Sequence, residues 1–246
     1  MTDVGNFFNS LPFFTRYWFA LSIAFPLFGR FGLLHPSYLV LEWTAFFRKF
    51  QIWRPITAAF YFPLGPNTAF AYMLNLYFLY NYSIKLETGL FAGRPADYCF
   101  LLLFNWLTLV TAGLALNVYL LMEPLILSVL YIWCQINKDQ IVNFWFGTQM
   151  RAIYLPWVLF GFNFILRGGG FEELLGILVG HLYYFLTITY PQERGGSALI
   201  QTPQILYDYF PGSNRAAGVG IPPAARQRPA GRGGHSWGRG HTLGGD

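Results

Sequence analysis

Charge is what this sequence most lacks. Only 11% of its 246 residues are Asp, Glu, Lys or Arg, where a soluble domain carries about 25%. So little charge cannot wet a whole surface, which excludes an ordinary water-soluble globule. Cysteine is scarce too. Cys99 and Cys134 both sit in apolar runs and read as buried free thiols, supporting neither a disulfide framework nor a metal site. No signal peptide is expected, because the first residues carry Asp3 rather than a basic stretch and no small-residue cleavage site follows the first apolar run. The first apolar segment therefore acts as its own insertion signal. There is no Gly-rich phosphate loop, no metal-ligand cluster and no HExxH, and the basic tail lacks the interleaved aromatics of a nucleic-acid binder. Cofactor, metal and nucleic acid are not expected.

What fills the chain instead is hydrocarbon and aromatic surface, 54% hydrophobic and 20% aromatic residues. That composition fits an all-α polytopic membrane protein whose spans are flanked by interfacial aromatic belts. The clearest span is Phe171–Tyr190. From Leu174 to Gln192 it holds no Asp, Glu, Lys or Arg, about the length a helix needs to cross a bilayer. Gly176 and Gly180, four apart, fall on one helix face and let a neighbouring backbone approach closely. Glu172 and Glu173 at its entrance and His181 within it are functional candidates, since ionisable groups at membrane depth are costly.

Taken in order, span one reads as Tyr17–Leu34 and is broken by His35-Pro36-Ser37. Tyr38–Phe50 is too short to cross. Trp43, Phe46, Phe47 and Phe50 recur at helical spacing while Glu42, Arg48 and Lys49 point elsewhere, which predicts a helix lying in the interface plane. Span two is Thr68–Ile84, span three Tyr98–Leu116 and span four Val118–Ile136, with Glu123-Pro124 near its start, where proline is tolerated. A loop from Asn137 runs into Ile141–Met150. Span five, Ala152–Leu166, is bounded by Arg151 and Arg167. It gives roughly 23 Å of helix against a hydrocarbon core of about 30 Å.

Six spans put both termini on one side. That side collects Arg16, Lys85, Arg94, Lys138, Arg151, Arg194 and the tail arginines, against Arg30, Arg48, Lys49, Arg54 and Arg167 on the other. The short loops are nearly balanced, and the tail tips the Lys/Arg bias so that both termini are expected in the cytosol. The formal glycosylation sequon Asn81-Tyr82-Ser83 ends a span facing the cytosol and is not expected to be modified. Residues 1–192 thus form a membrane domain and 193–246 a flexible cytosolic tail, rich in Gly, Pro, Ala and Arg, with a short amphipathic helix between Leu199 and Phe210.

A membrane protease needs a nucleophile beside a base. Ser128 in span four and His181 in span six are the candidates at matching depth. Leu127 and Val129 flank the serine, so no glycine opens the backbone around it. A serine in a membrane helix ordinarily bonds its own preceding turn.

The segment Gln51-Ile52-Trp53-Arg54-Pro55-Ile56-Thr57 resembles the WR motif of the rhomboid superfamily, and Gly176–Gly180 resembles its span-six GxxxG. With Asn75–Tyr80, Leu86-Glu87-Thr88-Gly89, Gly93–Tyr98 and Phe144–Thr148, these stretches resemble the Derlin family across nearly the whole chain from Asp3. The resemblance implies a six-transmembrane-helix, rhomboid-like bundle with an interfacial loop between spans one and two. It also implies a pseudoprotease. Where active rhomboids carry GxSG this chain has Leu127-Ser128-Val129, and Glu173 stands three residues before Gly176 in place of the catalytic histidine.

The role implied is endoplasmic-reticulum-associated degradation, in which misfolded proteins pass to the cytosol. The implied partners are a membrane ubiquitin ligase complex and a AAA unfoldase, valosin-containing protein. The tail island Ser236–Leu243 resembles the family's unfoldase ligand, the SHP box. Gly238, Gly240 and Leu243 fit its GxGxxL core, while the aromatic Trp237 sits one place later than in the soluble cofactors and His241-Thr242 departs from the pattern. Trp53 and Arg54 are expected to meet lipid or substrate. Two alternatives remain at this stage, a channel formed by several copies of the chain and a residual serine protease using Ser128.

Overall fold

The computed structural model describes residues 2–143, 148–167, 169–194 and 199–212. Helices dominate, and the fold is best followed from its centre. That centre is α7 (Met122–Ile136), whose residues from Met122 to Cys134 are all buried. A helix apolar on every side is stable only when other elements surround it. Here α9 (Phe171–Tyr184) packs most extensively against it, followed by α5 (Ala69–Lys85), while α6 (Pro95–Leu116) and α8 (Leu155–Arg167) complete the shell.

Among the described residues two helices are long and apolar enough to cross a membrane, Pro95–Leu116 and Phe171–Glu193; Met122–Ile136 and Ala152–Ile165 are shorter apolar helices. The longer second helix is continuous because α9 passes through a π-helical stretch, Phe185–Thr189, into α10 (Tyr190–Arg194). A second π-helical stretch, Leu86–Leu90, prolongs α5.

Several boundaries differ from the sequence reading. The first long helix, α2, spans Phe13–Arg30 rather than starting at Tyr17. Pro12 sets its entry, and Gly32, at φ +72°, helps the chain leave it after Arg30. Before it lies α1 (Thr2–Ser10), a short helix the sequence reading left undefined. The expected interfacial helix of Tyr38–Phe50 shrinks to α3 (Trp43–Arg48), followed by α4 (Arg54–Ala58). The fourth long helix starts at Met122, not Val118. Asn117, at φ 56°, ends α6, and the next few residues pair elsewhere, Leu121 N–H with the Ala58 carbonyl and Leu41 N–H with the Tyr119 carbonyl. These bonds fasten the α2–α5 connection to the α6–α7 turn.

Between α7 and α8 lies a small antiparallel hairpin, β1 (Ile141–Asn143) and β2 (Gln149–Arg151), with Val142 opposite Met150. Of the motif Phe144–Thr148, residues 144–147 fall outside the described residues. The expected amphipathic helix of the tail appears as α11 (Gln204–Tyr209).

Candidate functional site

The two glycines of α9 face backbone. A Cβ placed on Gly176 would lie 2.6 Å from the Pro124 carbonyl oxygen, and one on Gly180 would lie 2.7 Å from that of Ser128. Real Cβ atoms do not come so close, so α9 can lie on α7 only because both positions carry hydrogen. This seam brings together the elements that hold the candidate polar residues.

Ser128 and His181 lie on either side of that seam without joining. Ser128 is fully buried; its hydroxyl donates to the Leu125 carbonyl at 2.7 Å and accepts from the Asn105 amide at 3.1 Å. His181 is exposed, and its Nδ1 shares a 2.8 Å hydrogen bond with the hydroxyl of Tyr131, against whose ring it stands edge-on. Each residue therefore has a different partner, and the hydroxyl proton of the serine is directed to its own helix.

A polar cavity opens instead where α5, α7, α8 and α9 converge. Asn75 of α5 donates to a carboxylate oxygen of Glu123 at 2.9 Å. Asn163 of α8 and Glu173 of α9 complete the polar part of the lining, with Leu74, Leu127 and Leu159 as apolar walls. Its volume is ≈ 20 Å³, enough for about one water molecule. Glu123 and Glu173 are both buried. Asn81, by contrast, bonds back to the Tyr77 carbonyl of its own helix at 2.8 Å.

The loop carrying Trp53-Arg54 splits its two motif residues. Arg54 is buried. Its guanidinium donates to the Gln51 side chain at 2.6 Å and to the Val40 carbonyl at 2.8 Å, with the Glu42 carboxylate 3.9 Å away. Trp53 is 47% exposed and stands with Trp43, Phe47, Phe50 and Ile52, all exposed. The indole of Trp106 on α6 donates to the Pro55 carbonyl at 2.9 Å and holds the loop against the bundle.

Two constellations at the end of the bundle nearest the termini escaped the sequence reading. Glu87, from the Leu86-Glu87-Thr88-Gly89 stretch, accepts the backbone N–H groups of Phe14 and Thr15, each at 2.9 Å, and the Thr15 hydroxyl at 2.7 Å. It therefore caps the start of α2, where N–H groups lack partners and negative charge is favoured. Thr15, Ser83 and Tyr98 continue the network at 2.7 and 2.6 Å.

Asp97, from the Gly93–Tyr98 stretch, lies 3.5 Å from Arg94 and accepts the hydroxyls of Thr202 at 2.7 Å and Tyr207 at 2.5 Å. Burial, and then this bond to Asp97, push the Tyr207 phenol above its ordinary value. The ring of Phe210 stands 5.1 Å from that of Phe14 and 6.2 Å from that of Phe13. Residues 199–212 thus form a strap laid back on α6, although the sequence reading ends the membrane domain at 192. The tail residues Trp237, Gly238, Gly240 and Leu243 lie outside the described residues.

The profile of the Der1-like family matches residues 11–204. The chain is 56% identical to human Derlin-1 over 249 aligned positions, covering 99% of each protein. It is 48% identical to Derlin-1 of Caenorhabditis elegans, covering 99% of this chain and 100% of that protein. Derlin-1 of Drosophila melanogaster is 44% identical, over 98% and 99%.

Proposed function

This chain belongs to the Der1-like family, and on that premise we propose that it is a non-catalytic component of endoplasmic-reticulum-associated degradation, assisting recognition and retrotranslocation of misfolded proteins. In this reading α2, α5, α6, α7, α8 and the α9–α10 helix are six spans of the endoplasmic reticulum membrane, and both termini are cytosolic.

The observation that carries the reading is the polar cavity of Asn75, Glu123, Asn163 and Glu173 beside the short α8. At 13 residues, α8 is about 20 Å long, well below a hydrocarbon core of about 30 Å. A span too short for its bilayer draws the surfaces together. Polar side chains between α5 and α8 then offer partners to a polypeptide that would otherwise strand its backbone groups in hydrocarbon. The exposed aromatics around Trp53 enter the leaflet at the same end of the bundle as Glu123 and help thin it, while Arg54 keeps their loop in shape.

The motor lies outside the membrane. Trp237, Gly238, Gly240 and Leu243 recruit the AAA unfoldase, valosin-containing protein, and a membrane ubiquitin ligase complex marks the substrate. Catalysis plays no part, because the Ser128 hydroxyl is committed to Leu125 and His181 to Tyr131.

The test is a degradation chase of a misfolded lumenal protein in cells lacking this chain, with variants added back at matched expression. Rescue by Ser128→Ala/His181→Ala, together with failure of Trp53→Ala and of a truncation after Ala230, is the expected pattern. Failure of the Ser/His variant alone would reverse the non-catalytic reading. Normal clearance with Trp53→Ala would remove the loop from the mechanism.

A further inference from the structure

A second opening, far larger than the polar cavity, lies between α2, α4 and α6. It measures ≈ 490 Å³ and is walled by Phe13, Tyr17 and Leu21 of α2, Ile56 of α4, and Cys99 and Leu103 of α6 among other apolar side chains. Several of these walls, including Tyr17, Leu21, Ile56 and Leu103, are exposed. The groove therefore opens sideways onto the surface that the proposed topology sets against the bilayer. Its end nearest the termini is marked by Phe13 and Phe14, against which the strap's Phe210 packs.

Such a space in hydrocarbon does not stay empty. Water finds few hydrogen-bond partners on these walls, and an empty groove forfeits the dispersion contacts its lining would otherwise make. The lining then selects the occupant. The walls are almost wholly apolar, and a flexible chain of methylenes needs no hydrogen-bond partner, follows an irregular groove without a matching face and is supplied on the open side by the bilayer itself.

We infer that the α2–α6 groove is a binding site for one acyl chain of a membrane phospholipid. The chain enters from the side and fills the gap between α2 and α6. The side chains of Leu21 and Leu103 stand at the open edge, and Phe210 covers the end near the termini. The inference rests on the membrane-spanning reading of α2 and α6, and on no other part of the proposed function.

The test uses the full chain reconstituted in phosphatidylcholine vesicles containing a trace of phosphatidylcholine with a photoactivatable group on one acyl chain. Crosslinked peptides are mapped in wild type, in Leu103→Trp, which fills the groove from an exposed position, and in Leu178→Trp, an exposed site elsewhere on the surface. Crosslinks are expected to concentrate on Phe13–Leu21 and Cys99–Trp106. Leu103→Trp should lower them about tenfold, the factor that a dozen lost dispersion contacts represent, and Leu178→Trp should not.

Even labelling of all lipid-facing helices would overturn the inference, as would labelling unchanged by Leu103→Trp. A short bifunctional thiol reagent supplies the remaining check, because Cys134 is buried and only Cys99 lines the groove. Efficient joining of two copies through Cys99 would assign the groove to a second copy instead. Absence of crosslinks anywhere would mean that the chain does not sit in the bilayer, a failure of the topology distinct from failure of the site.

Discussion

Trp53 and Arg54 are neighbours in sequence and opposites in environment. Arg54 is buried and ties the loop to Val40 and Gln51, whereas Trp53 leaves the loop and faces outward. Arg54→Ala should therefore loosen the loop, because hydrogen bonds to a charged group are worth about 1.5–3 kcal/mol each. Trp53→Ala should change stability by no more than about 0.5 kcal/mol. Thermal unfolding of the two variants in detergent separates these roles; equal losses would show that Trp53 is structural as well.

Glu87 makes a similar claim on the other side of the bundle. Glu87→Gln keeps its size but loses the charge at the start of α2, and should cost about 1 kcal/mol. Ser128→Ala removes a hydroxyl bonded within its own helix and should leave clearance of substrates unchanged. The sequence makes the glycines and Arg54 visible because their residue types are unusual at those positions. It does not reveal the partner of Glu87, which lies 72 and 73 residues away, because no local pattern encodes a cap supplied from another helix.

Among the elements, the α7–α9 seam is the least tolerant. Gly176→Ala puts a methyl group against the Pro124 backbone, which cannot rotate aside as a flexible side chain would. Overpacking of this kind costs about 1–3 kcal/mol, and reduced yield of folded protein with a lower unfolding temperature is expected. An unchanged melting temperature would mean that α9 shifts freely on α7.

The strap behaves differently, since it is held by hydrogen bonds to Asp97 and by the contacts of Phe210 with Phe13 and Phe14. Asp97→Ala removes the acceptor for both Thr202 and Tyr207, so limited proteolysis between residues 199 and 212 should become faster while the bundle stays resistant. Tyr207 donates as a neutral phenol, and docking raises its pKa above 10.0. Its contribution is then complete below pH 10 and is lost as pH rises through the higher docked value. Cleavage of the wild-type strap should stay slow at neutral pH and accelerate only in strong alkali.

Helix positions were largely legible in the sequence because the runs of apolar residues are long. Four kinds of feature were not. The hairpin of Ile141–Arg151 has strands of three residues, too short for an alternating pattern to register. The π-helical stretches leave composition unchanged. The helix α1 lies before the first long apolar run, and the strap's anchor is a single carboxylate some hundred residues upstream.

At the scale of the whole molecule, the burial of α7 by α9 sets an order of assembly. The fourth long helix leaves the ribosome before its principal partner has been made, and the carbonyls of Pro124 and Ser128 that receive Gly176 and Gly180 must wait for it. Until α9 arrives, the centre of the protein is open on one side. Nascent chains halted before residue 171 should accordingly be short-lived in the membrane, and those that reach residue 194 long-lived. On the function proposed above, a protein that helps clear misfolded polypeptides is itself recognisable as unfinished until α9 has been made.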